Sequence, residues 1–403
     1  MTIRRLSAML LWFSAYSAAQ NPPPSLTTIY NFTGGSDGSG PTPLTVGEGG
    51  VLYGATASGG GYGYGTIYSL TPPALPGGSW THSVLYSFQG GSDGEEPGTR
   101  LTIGSGGVLY GTTGNCYSAC VAVVYSLTPP SSPGAQWTFA VLASFGTEAA
   151  SSVSISPGGV LYGTAPCSDL CGTVFALLPP ASPGGSWTER TVKNVGTGSV
   201  PAVGLAIGAG LALYGINTGF ITIPAEVFEL APPATPGGAW TETVLYQFVG
   251  IVYGATDLAI GGGGVLYGTV SSNGGAVYSL TPPASTGGAW TQATLIEFPT
   301  NGILLNGVVP GPVTVGENGT VYGTTQSGGD WEAGTAYALK PPASPGGAWT
   351  EIGLHTFTGS DGKSPTGLAI GAGGVLYGTA VTGGAYRGSP CAGGCGTVFA
   401  LAE

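Results

Sequence analysis

The sequence is poor in charge, and above all in positive charge. Only 7% of its 403 residues are charged, with 8 Lys and Arg against 19 Asp and Glu, which gives a formal net charge of −11. Nucleic-acid affinity comes largely from Lys and Arg that neutralise phosphates, and a membrane-surface patch also needs basic clusters. We therefore expect neither a nucleic-acid partner nor a basic membrane-binding surface.

Glycine and proline are abundant, with 77 Gly and 32 Pro. Without a period such a composition would suggest low complexity, but 42% of the residues are hydrophobic and 20 are Tyr. Disordered chains lack that apolar content. The sequence therefore predicts a folded chain with many turns.

The N-terminus has the layout of a secretory signal peptide. Arg4 and Arg5 precede an apolar run from Leu6 to Ala15, and small residues lead to a cleavage site after Ala19. The apolar run is too short to span a membrane, and no later stretch has the length of a span. We expect residues 1–19 to be the signal peptide, 20–26 a Pro-rich lead-in, and the protein to be secreted or periplasmic. A twin-arginine route and a buried N-terminal helix are the alternatives.

One phrase recurs seven times, as VLYG or a close variant. Its tyrosines follow one another at intervals of 52 to 57 residues: Tyr53, Tyr110, Tyr162, Tyr214, Tyr267, Tyr322 and Tyr377. A fixed period of this length indicates tandem structural units.

Each unit holds three further short apolar segments, and each kind also occurs seven times. One resembles TIYSL, one resembles SVLYSF, and one alternates apolar, small, apolar, as in Leu44-Thr45-Val46. Segments rich in Val, Ile, Tyr and Phe between Gly and Pro clusters are typical of strands. Four strands in each of seven units predict an all-β, seven-bladed β-propeller of four-stranded antiparallel blades over residues 27–403.

The two chain ends predict how the ring closes. The repeats begin inside a unit with Thr27 to Phe32 and end inside one with Gly396 to Leu401. We therefore expect the N-terminal strand to complete the last blade. The alternating segment suits the crowded axis because its central residue is small, so we expect it innermost and the VLYSF segment outermost.

Antiparallel strands place successive connections on alternate faces of the disc. One face should carry nearly identical PPASPGGAW connections, whose six tryptophans we interpret as packing anchors between blades: Trp80, Trp137, Trp187, Trp240, Trp290 and Trp349. The opposite face should carry the loops that vary. Because variable loops on a rigid scaffold usually determine specificity, we expect any binding site there. The candidate binding residues are Tyr62, Tyr64, Asp330, Trp331, Glu332, Tyr386 and Arg387.

All six cysteines fall in these variable loops. They form three pairs, each with three residues between its members: Cys116 with Cys120, Cys167 with Cys171, and Cys391 with Cys395. In an exported protein such pairs predict local disulfides. Zinc is the alternative, but it needs four ligands, and the two histidines, His82 and His355, lie elsewhere.

A GSDG turn appears three times, with Asp37, Asp93 and Asp361. Asp-Gly is first a turn signal, and calcium binding is the sharper alternative, although no loop has the full spacing of a calcium site. Catalytic machinery is weakly indicated. The adjacent Glu95 and Glu96 are one carboxylate pair, no nucleophile motif accompanies the histidines, and Arg100, Arg190 and Arg387 are too few for an arginine clamp. We expect no cofactor.

The ordered phrases G-x-LYGTT, GTVF-x-L, VLYSF and GG-x-DG resemble the Gloeo/Verruco (GloVer) choice-of-anchor tandem-repeat proteins. The match runs from Thr27 to Leu401 and is seen in Gly107 to Thr113 and in Phe88 to Gly94. The resemblance implies an exported bacterial protein with no shared catalytic residues. Such proteins often carry a C-terminal anchor, whereas this sequence ends at Glu403 without one.

Three functions remain open at this point. The first is a non-enzymatic module that binds an extracellular ligand, a glycan or a protein, through the variable-loop face. The second is an extracellular hydrolase or lyase that uses carboxylates around the axis. The third is a purely structural surface protein.

Overall fold

The computed structural model describes residues 24–402 with short gaps, and residues 1–23, including the predicted signal peptide, lie outside the described chain. The gaps are 76, 115–120, 133, 147–149, 168–170, 183, 196–198, 202–203, 220–223, 236, 250–253, 286, 299–308 and 345. The described residues form seven antiparallel sheets. These are the blades of a seven-bladed β-propeller, as the repeats predict.

Each blade places its strands from the axis outward in chain order, as an inner strand, an LYG strand, a third strand and an outer strand. The first strand of the chain, β1 (Ser25–Asn31), belongs to blade 7. Blade 1 contains β2 (Ser39–Pro41), β3 (Thr45–Val46), β4 (Leu52–Ser58), β5 (Thr66–Thr71) and β6 (Thr81–Ser87). Blade 2 contains β7 (Thr102–Ile103), β8 (Leu109–Thr112), β9 (Val123–Thr128) and β10 (Thr138–Ser144). Blade 3 contains β11 (Ser154–Ile155), β12 (Leu161–Cys167), β13 (Cys171–Leu178) and β14 (Thr188–Val195).

The remaining blades repeat this order. Blade 4 contains β15 (Ser199–Pro201), β16 (Ala206–Ile207), β17 (Leu213–Gly219), β18 (Glu226–Ala231) and β19 (Thr241–Gln247). Blade 5 contains β20 (Ala259–Ile260), β21 (Leu266–Val270), β22 (Ala276–Thr281) and β23 (Thr291–Glu297). Blade 6 contains β24 (Thr314–Val315), β25 (Val321–Thr325), β26 (Thr335–Lys340) and β27 (Thr350–Thr356). Blade 7 contains β28 (Lys363–Ile370), β29 (Leu376–Thr382) and β30 (Thr397–Ala402), together with β1.

The inner strand is divided in two blades. In blade 1, β2 and β3 both pair with β4, and in blade 4, β15 and β16 both pair with β17. In blade 7 the same stretch is one continuous strand, β28. The plan of four positions per blade is therefore kept, although some blades contain five strands.

The helical content of the described chain is limited to three-residue 3-10 turns. They are Glu48–Gly50, Gly91–Asp93, Ser105–Gly107, Ala209–Leu211, Gly262–Gly264, Ser272–Gly274 and Ala372–Gly374. None of the helices among the described residues has the length and apolar character needed to cross a membrane.

Ring closure follows the prediction from the chain ends. Strand β1 pairs antiparallel with β30, so that Leu26 lies opposite Leu401 and Tyr30 opposite Val398. The strand begins at Ser25, earlier than the predicted domain start at Thr27. The first and last segments of the propeller are thus held together by main-chain hydrogen bonds.

The repeated tryptophans pack between blades, which confirms their interpretation as anchors. At six blade interfaces a Trp ring meets the LYG tyrosine of the neighbouring blade edge-on, with ring centroids 5.7 to 6.2 Å apart. The pairs are Trp80 with Tyr377, Trp137 with Tyr53, Trp187 with Tyr110, Trp240 with Tyr162, Trp290 with Tyr214 and Trp349 with Tyr267. Edge-to-face contacts of this kind are favourable for aromatic rings.

Hydroxyl groups of the inner strands join neighbouring blades at the axis. Thr45 donates to the Leu101 carbonyl at 2.5 Å, and Ser154 donates to the Leu205 carbonyl at 2.5 Å. Thr102 and Thr314 make the equivalent bonds to Val153 and Leu368. The alternating segment is therefore innermost, and its small polar residues connect one blade to the next.

Candidate functional site

The interblade loops and the loops that follow the LYG strands lie on one face of the disc, the variable-loop face. On one side of this face, loops from blades 6, 7, 1 and 2 are joined by main-chain hydrogen bonds. The bonds run from Ser364 N to Ala333 O, Gly384 N to Gly359 O, Phe32 N to Gly396 O, Gly60 N to Gly35 O and Glu96 N to Tyr64 O, at 2.8 to 3.2 Å. We call this continuous surface, formed by residues 31–38, 59–65, 89–96, 326–334, 358–364 and 383–396, the loop arc.

All seven predicted binding residues lie in the loop arc. The side chains of Trp331 and Tyr62 are 67% and 61% exposed, and those of Tyr64 and Tyr386 are about 40% exposed. Arg387 lies beside Tyr386 and donates to the Gly359 carbonyl at 3.3 Å. The predicted residues therefore belong to one surface, although hundreds of residues separate some of them.

Asp330 and Glu332 flank the exposed Trp331. Both acidic side chains are exposed, and the Glu332 carboxylate accepts a hydrogen bond from the Gly328 amide at 3.3 Å. Glu332 has a positive φ of 50°, a backbone conformation that a non-glycine residue seldom adopts. The tight turn projects Trp331 into solvent between two negative charges.

The predicted disulfide between Cys391 and Cys395 is present in the blade 7 loop of the arc. It packs against Gly34, where a Cβ atom would lie 2.7 Å from both sulfur atoms. Cys116 and Cys120 lie outside the described residues. Cys167 and Cys171 end β12 and begin β13, and their backbones are paired in register.

The GSDG aspartates act as turn caps. The Asp37 carboxylate accepts hydrogen bonds from the Thr33 amide at 2.8 Å, the Thr33 hydroxyl at 2.6 Å and the Tyr30 hydroxyl at 3.1 Å. Asp93 likewise accepts from the Tyr86 hydroxyl at 2.8 Å. Each carboxylate thus ties a loop of the arc to its preceding outer strand.

Asp361 caps the third turn. Burial raises its pKa, but hydrogen bonds from the Thr358 amide, from His355 and from the Thr358 hydroxyl outweigh burial and lower the pKa below the usual value. The His355 Nε2 atom lies 2.7 Å from the carboxylate. The three aspartates serve three separate turns, and no group of three His, Cys, Asp or Glu side chains within the described residues could hold a metal ion together.

The other residues considered for catalysis do not converge. Glu95 is buried, whereas Glu96 beside it is exposed. His82 stacks on Tyr30 with ring centroids 4.4 Å apart, and its Nε2 atom is buried without a hydrogen-bond partner among the described residues. His82 is therefore a packing residue at the boundary of blades 7 and 1.

A second feature of the variable-loop face is the mouth of the central channel. A cavity of about 590 Å³ on the axis is lined by residues from all seven blades. The inner strands start from the variable-loop face, so the residue just before each inner apolar segment lies at that end of the channel. We call these seven equivalent positions the channel ring: Pro43, Arg100, Ser152, Gly204, Asp257, Pro312 and Gly367.

The channel ring contains two opposite charges, Arg100 and Asp257. Both line the cavity and are enclosed by the surrounding blades, yet their side chains keep part of their surface open toward the channel. Burial lowers the pKa of Arg100 and raises that of Asp257, and their mutual attraction partly offsets each shift. Their charged atoms are nevertheless more than 4.0 Å apart and form no direct ion pair.

Each of the two charges has few partners within the protein. In the described chain, Arg100 makes one long hydrogen bond, 3.5 Å to the Leu368 carbonyl, which also accepts from Thr314. The Ser152 hydroxyl near Asp257 lowers the pKa of that carboxyl, but the Oδ1 atom lacks a hydrogen-bond partner among the described residues. Arg100 therefore retains unused N–H donors, and Asp257 lines the channel with a carboxylate whose Oδ1 atom is enclosed against Gly204 and unpaired in the described chain.

Sequence reasoning missed this part of the site. Arg100 is counted among too few arginines for a clamp, and Asp257 is not singled out at all. Alignment of the seven units on the inner segment supplies a signal, because the preceding residue is Pro, Gly, Ser, Arg or Asp while the segment itself hardly changes. At this position five blades have an uncharged residue, whereas blade 2 has Arg100 and blade 5 has Asp257.

Comparison with known proteins identifies the fold alone. No protein-family model and no curated protein sequence matches the chain. The structure of the polysaccharide lyase Uly1 is similar, with a TM-score of 0.55 and 10% identity over 89% of each chain. A soluble aldose sugar dehydrogenase from Escherichia coli is similar at a TM-score of 0.48, with 11% identity over 75% of this chain and 96% of that one. The likeness to the lyase structure agrees with a β-propeller fold.

Proposed function

We propose that this protein is an extracellular binding protein that recognises a carbohydrate through the loop arc. The supporting observation is the set of exposed aromatic rings, Tyr62, Trp331 and Tyr386, on three consecutive blades joined by main-chain hydrogen bonds. The repeated tryptophans of the opposite face are used in packing instead. Aromatic rings exposed beside polar groups are suited to stack on sugar rings.

Rigidity of the arc supports the same proposal. Its turns are capped by Asp37, Asp93 and Asp361, and one loop is closed by the Cys391–Cys395 disulfide. A surface that is already ordered loses less conformational entropy when it binds. The exposed rings would therefore bind a ligand without first having to order their loops.

The chain's origin is part of the proposal. From the N-terminal pattern and the repeated phrases, we propose export to the periplasm or the medium and membership of the Gloeo/Verruco repeat proteins. Expression of the full-length chain with its N-terminus intact, followed by mass analysis of the exported product, tests the export. The expected product starts at Gln20, and an uncleaved cytoplasmic protein contradicts the proposal.

A glycan array probed with the mature protein tests the binding function. We expect retention of at least one glycan class, and affinity about tenfold weaker in the double variant Tyr62→Ala/Trp331→Ala, since an aromatic contact contributes about 0.5–1.5 kcal/mol. The control is Leu75→Ala, which removes a side chain 76% exposed on the opposite face. The proposal is overturned if no glycan is retained or if the double variant binds equally well. It is also overturned if the partner is a protein instead of a glycan, or if the bound glycan is turned over.

A further inference from the structure

The channel ring places two unlike charges in one enclosed space without joining them. Arg100 belongs to blade 2 and Asp257 to blade 5, and both line the central cavity together with Ser152. Removal of charged groups from water is costly, and the cost is recovered only through a well-formed pair or through other charge-assisted hydrogen bonds. In the described chain the two side chains form neither a direct pair nor a complete set of hydrogen bonds.

Most hydroxyl groups of the axis are already used in hydrogen bonds. The inner-strand hydroxyls donate to carbonyls of the next blade, and Thr99, Thr256 and Thr366 pair with the hydroxyls of their LYG strands at 2.7 to 2.8 Å. By contrast, the Arg100 guanidinium carries five N–H donors and uses one of them weakly. Binding capacity in the channel mouth thus lies on the two charges, with the Ser152 hydroxyl and the Gln326 amide as the neutral polar groups beside them.

Gly204 leaves the space in which Asp257 and Ser152 lie on the negative side of the cavity. A Cβ atom at this position would lie 2.6 Å from the Asp257 Oδ1 atom and 2.6 Å from the Ser152 hydroxyl. Any larger residue would push the carboxylate away from Ser152. The absence of a side chain at Gly204 therefore lets residues of blades 3 and 5 approach each other across blade 4.

We propose that the channel mouth is a binding site for a small zwitterion, a molecule whose anionic group meets Arg100 and whose ammonium group meets Asp257. The cavity of about 590 Å³ has the size of a small-molecule pocket. A ligand that carries both charges gives Arg100 and Asp257 the charged partners that replace the water lost on burial. An ion of a single charge would satisfy one group and leave the other unpaired. Its two charged residues lie outside the loop arc, although Gln326 of the arc also lines the cavity, and the proposal does not rest on carbohydrate binding.

Titration calorimetry with simple probes tests the site. The zwitterions glycine, β-alanine and γ-aminobutyrate, which differ in charge separation, are compared with acetate, ethylammonium and glucose at fixed ionic strength. We expect at least one zwitterion to bind at least tenfold more tightly than each of the other three probes. No binding by any zwitterion, or equal binding by glucose or by either single ion, overturns the proposal.

Variants locate the site in the channel. Arg100→Gln and Asp257→Asn should each weaken zwitterion binding on the order of 10- to 100-fold, because each removes a charge-assisted hydrogen bond. Ala259→Leu keeps both charges but fills part of the cavity, so it should also abolish binding while circular dichroism shows a folded propeller. Arg190→Gln and Glu48→Gln, which remove exposed charges elsewhere, should leave binding unchanged. Unchanged binding in folded Arg100→Gln and Ala259→Leu proteins would refute the assignment.

Discussion

At the scale of single residues, the repeated phrase is explained by close packing against one ring. In each LYG strand the glycine faces an aromatic residue of the third strand, and a Cβ atom there would lie 2.3 to 2.6 Å from the nearest atom of that side chain. Gly54 faces Tyr68 in this way, and Gly163 faces Phe175. The sequence predicts the strand correctly, but the reason for its glycine appears only when the neighbouring strand is in place.

The aromatic residue that faces this glycine is Tyr in four blades and Phe in three, which leads to a prediction. Tyr68, Tyr125, Tyr278 and Tyr337 are buried, and their hydroxyls have no hydrogen-bond partner within the described chain, whereas blades 3, 4 and 7 have Phe. Burial also raises the pKa of these phenols. Since an unsatisfied buried hydroxyl costs free energy, we expect Tyr68→Phe to leave the free energy of unfolding unchanged or to raise it by up to about 1 kcal/mol.

Urea unfolding of the variants measures this effect. Tyr30→Phe is the matched control, because the Tyr30 hydroxyl donates to Asp37 at 3.1 Å and its loss should lower stability by about 1 kcal/mol. Destabilisation by Tyr68→Phe as large as that by Tyr30→Phe would contradict the explanation.

At the scale of elements, each outer-strand connection binds its blade to a neighbour through one Trp. The Trp137 ring meets Tyr53 of blade 1 at 6.2 Å, and five other interfaces repeat the contact. Repetition in the sequence was sufficient to predict this role, since six identical residues suit a repeated packing contact better than a single binding site. Trp331 has the same side chain but lies exposed in the loop arc.

The two kinds of tryptophan give a matched pair of variants. We expect Trp137→Ala to lower the free energy of unfolding by about 1–3 kcal/mol, since it removes a half-buried aromatic contact between blades. Trp331→Ala should change stability by less than about 0.5 kcal/mol, as is usual at exposed positions. Chemical unfolding of both proteins, followed by far-UV circular dichroism, compares them directly. Equal losses would show that Trp137 is not an anchor.

At the scale of the whole molecule, stability depends on blade 7, where the two chain ends pair, and on the seam between blade 7 and blade 1. Here β1 pairs with β30, and Tyr30 of β1 stacks on His82 of blade 1. In the next interface Phe139 takes the position of His82 and stacks on Tyr86 with centroids 4.2 Å apart. The interface between blades 7 and 1 therefore has a titratable ring, His82, where the interface between blades 1 and 2 has the apolar ring of Phe139.

The seam should weaken in mild acid. Burial lowers the pKa of His82 below its usual 6.5, against the opposing attraction of Asp37, and the other groups facing it are Tyr30, Phe32 and Tyr68. The folded protein then binds fewer protons than the unfolded chain, so stability falls as the pH drops below about 6.5 toward the pKa of the folded state. His82→Phe should reduce this loss, measured as the change in urea midpoint between pH 7.5 and pH 5. An identical pH dependence in both proteins would rule out the histidine as its source.

The sequence by itself determined the number of blades, the four strand positions in each, the closure by β1 and the disulfide at Cys391–Cys395. These features follow from local patterns that repeat, because a strand, its turns and its nearest partners lie within one unit of the chain. Tertiary structure alone decided that Arg100 approaches Leu368 and faces Asp257, and that Trp331 and Tyr62 share one arc. Ring closure brings such distant segments together, and no single repeat contains the geometry of the whole ring.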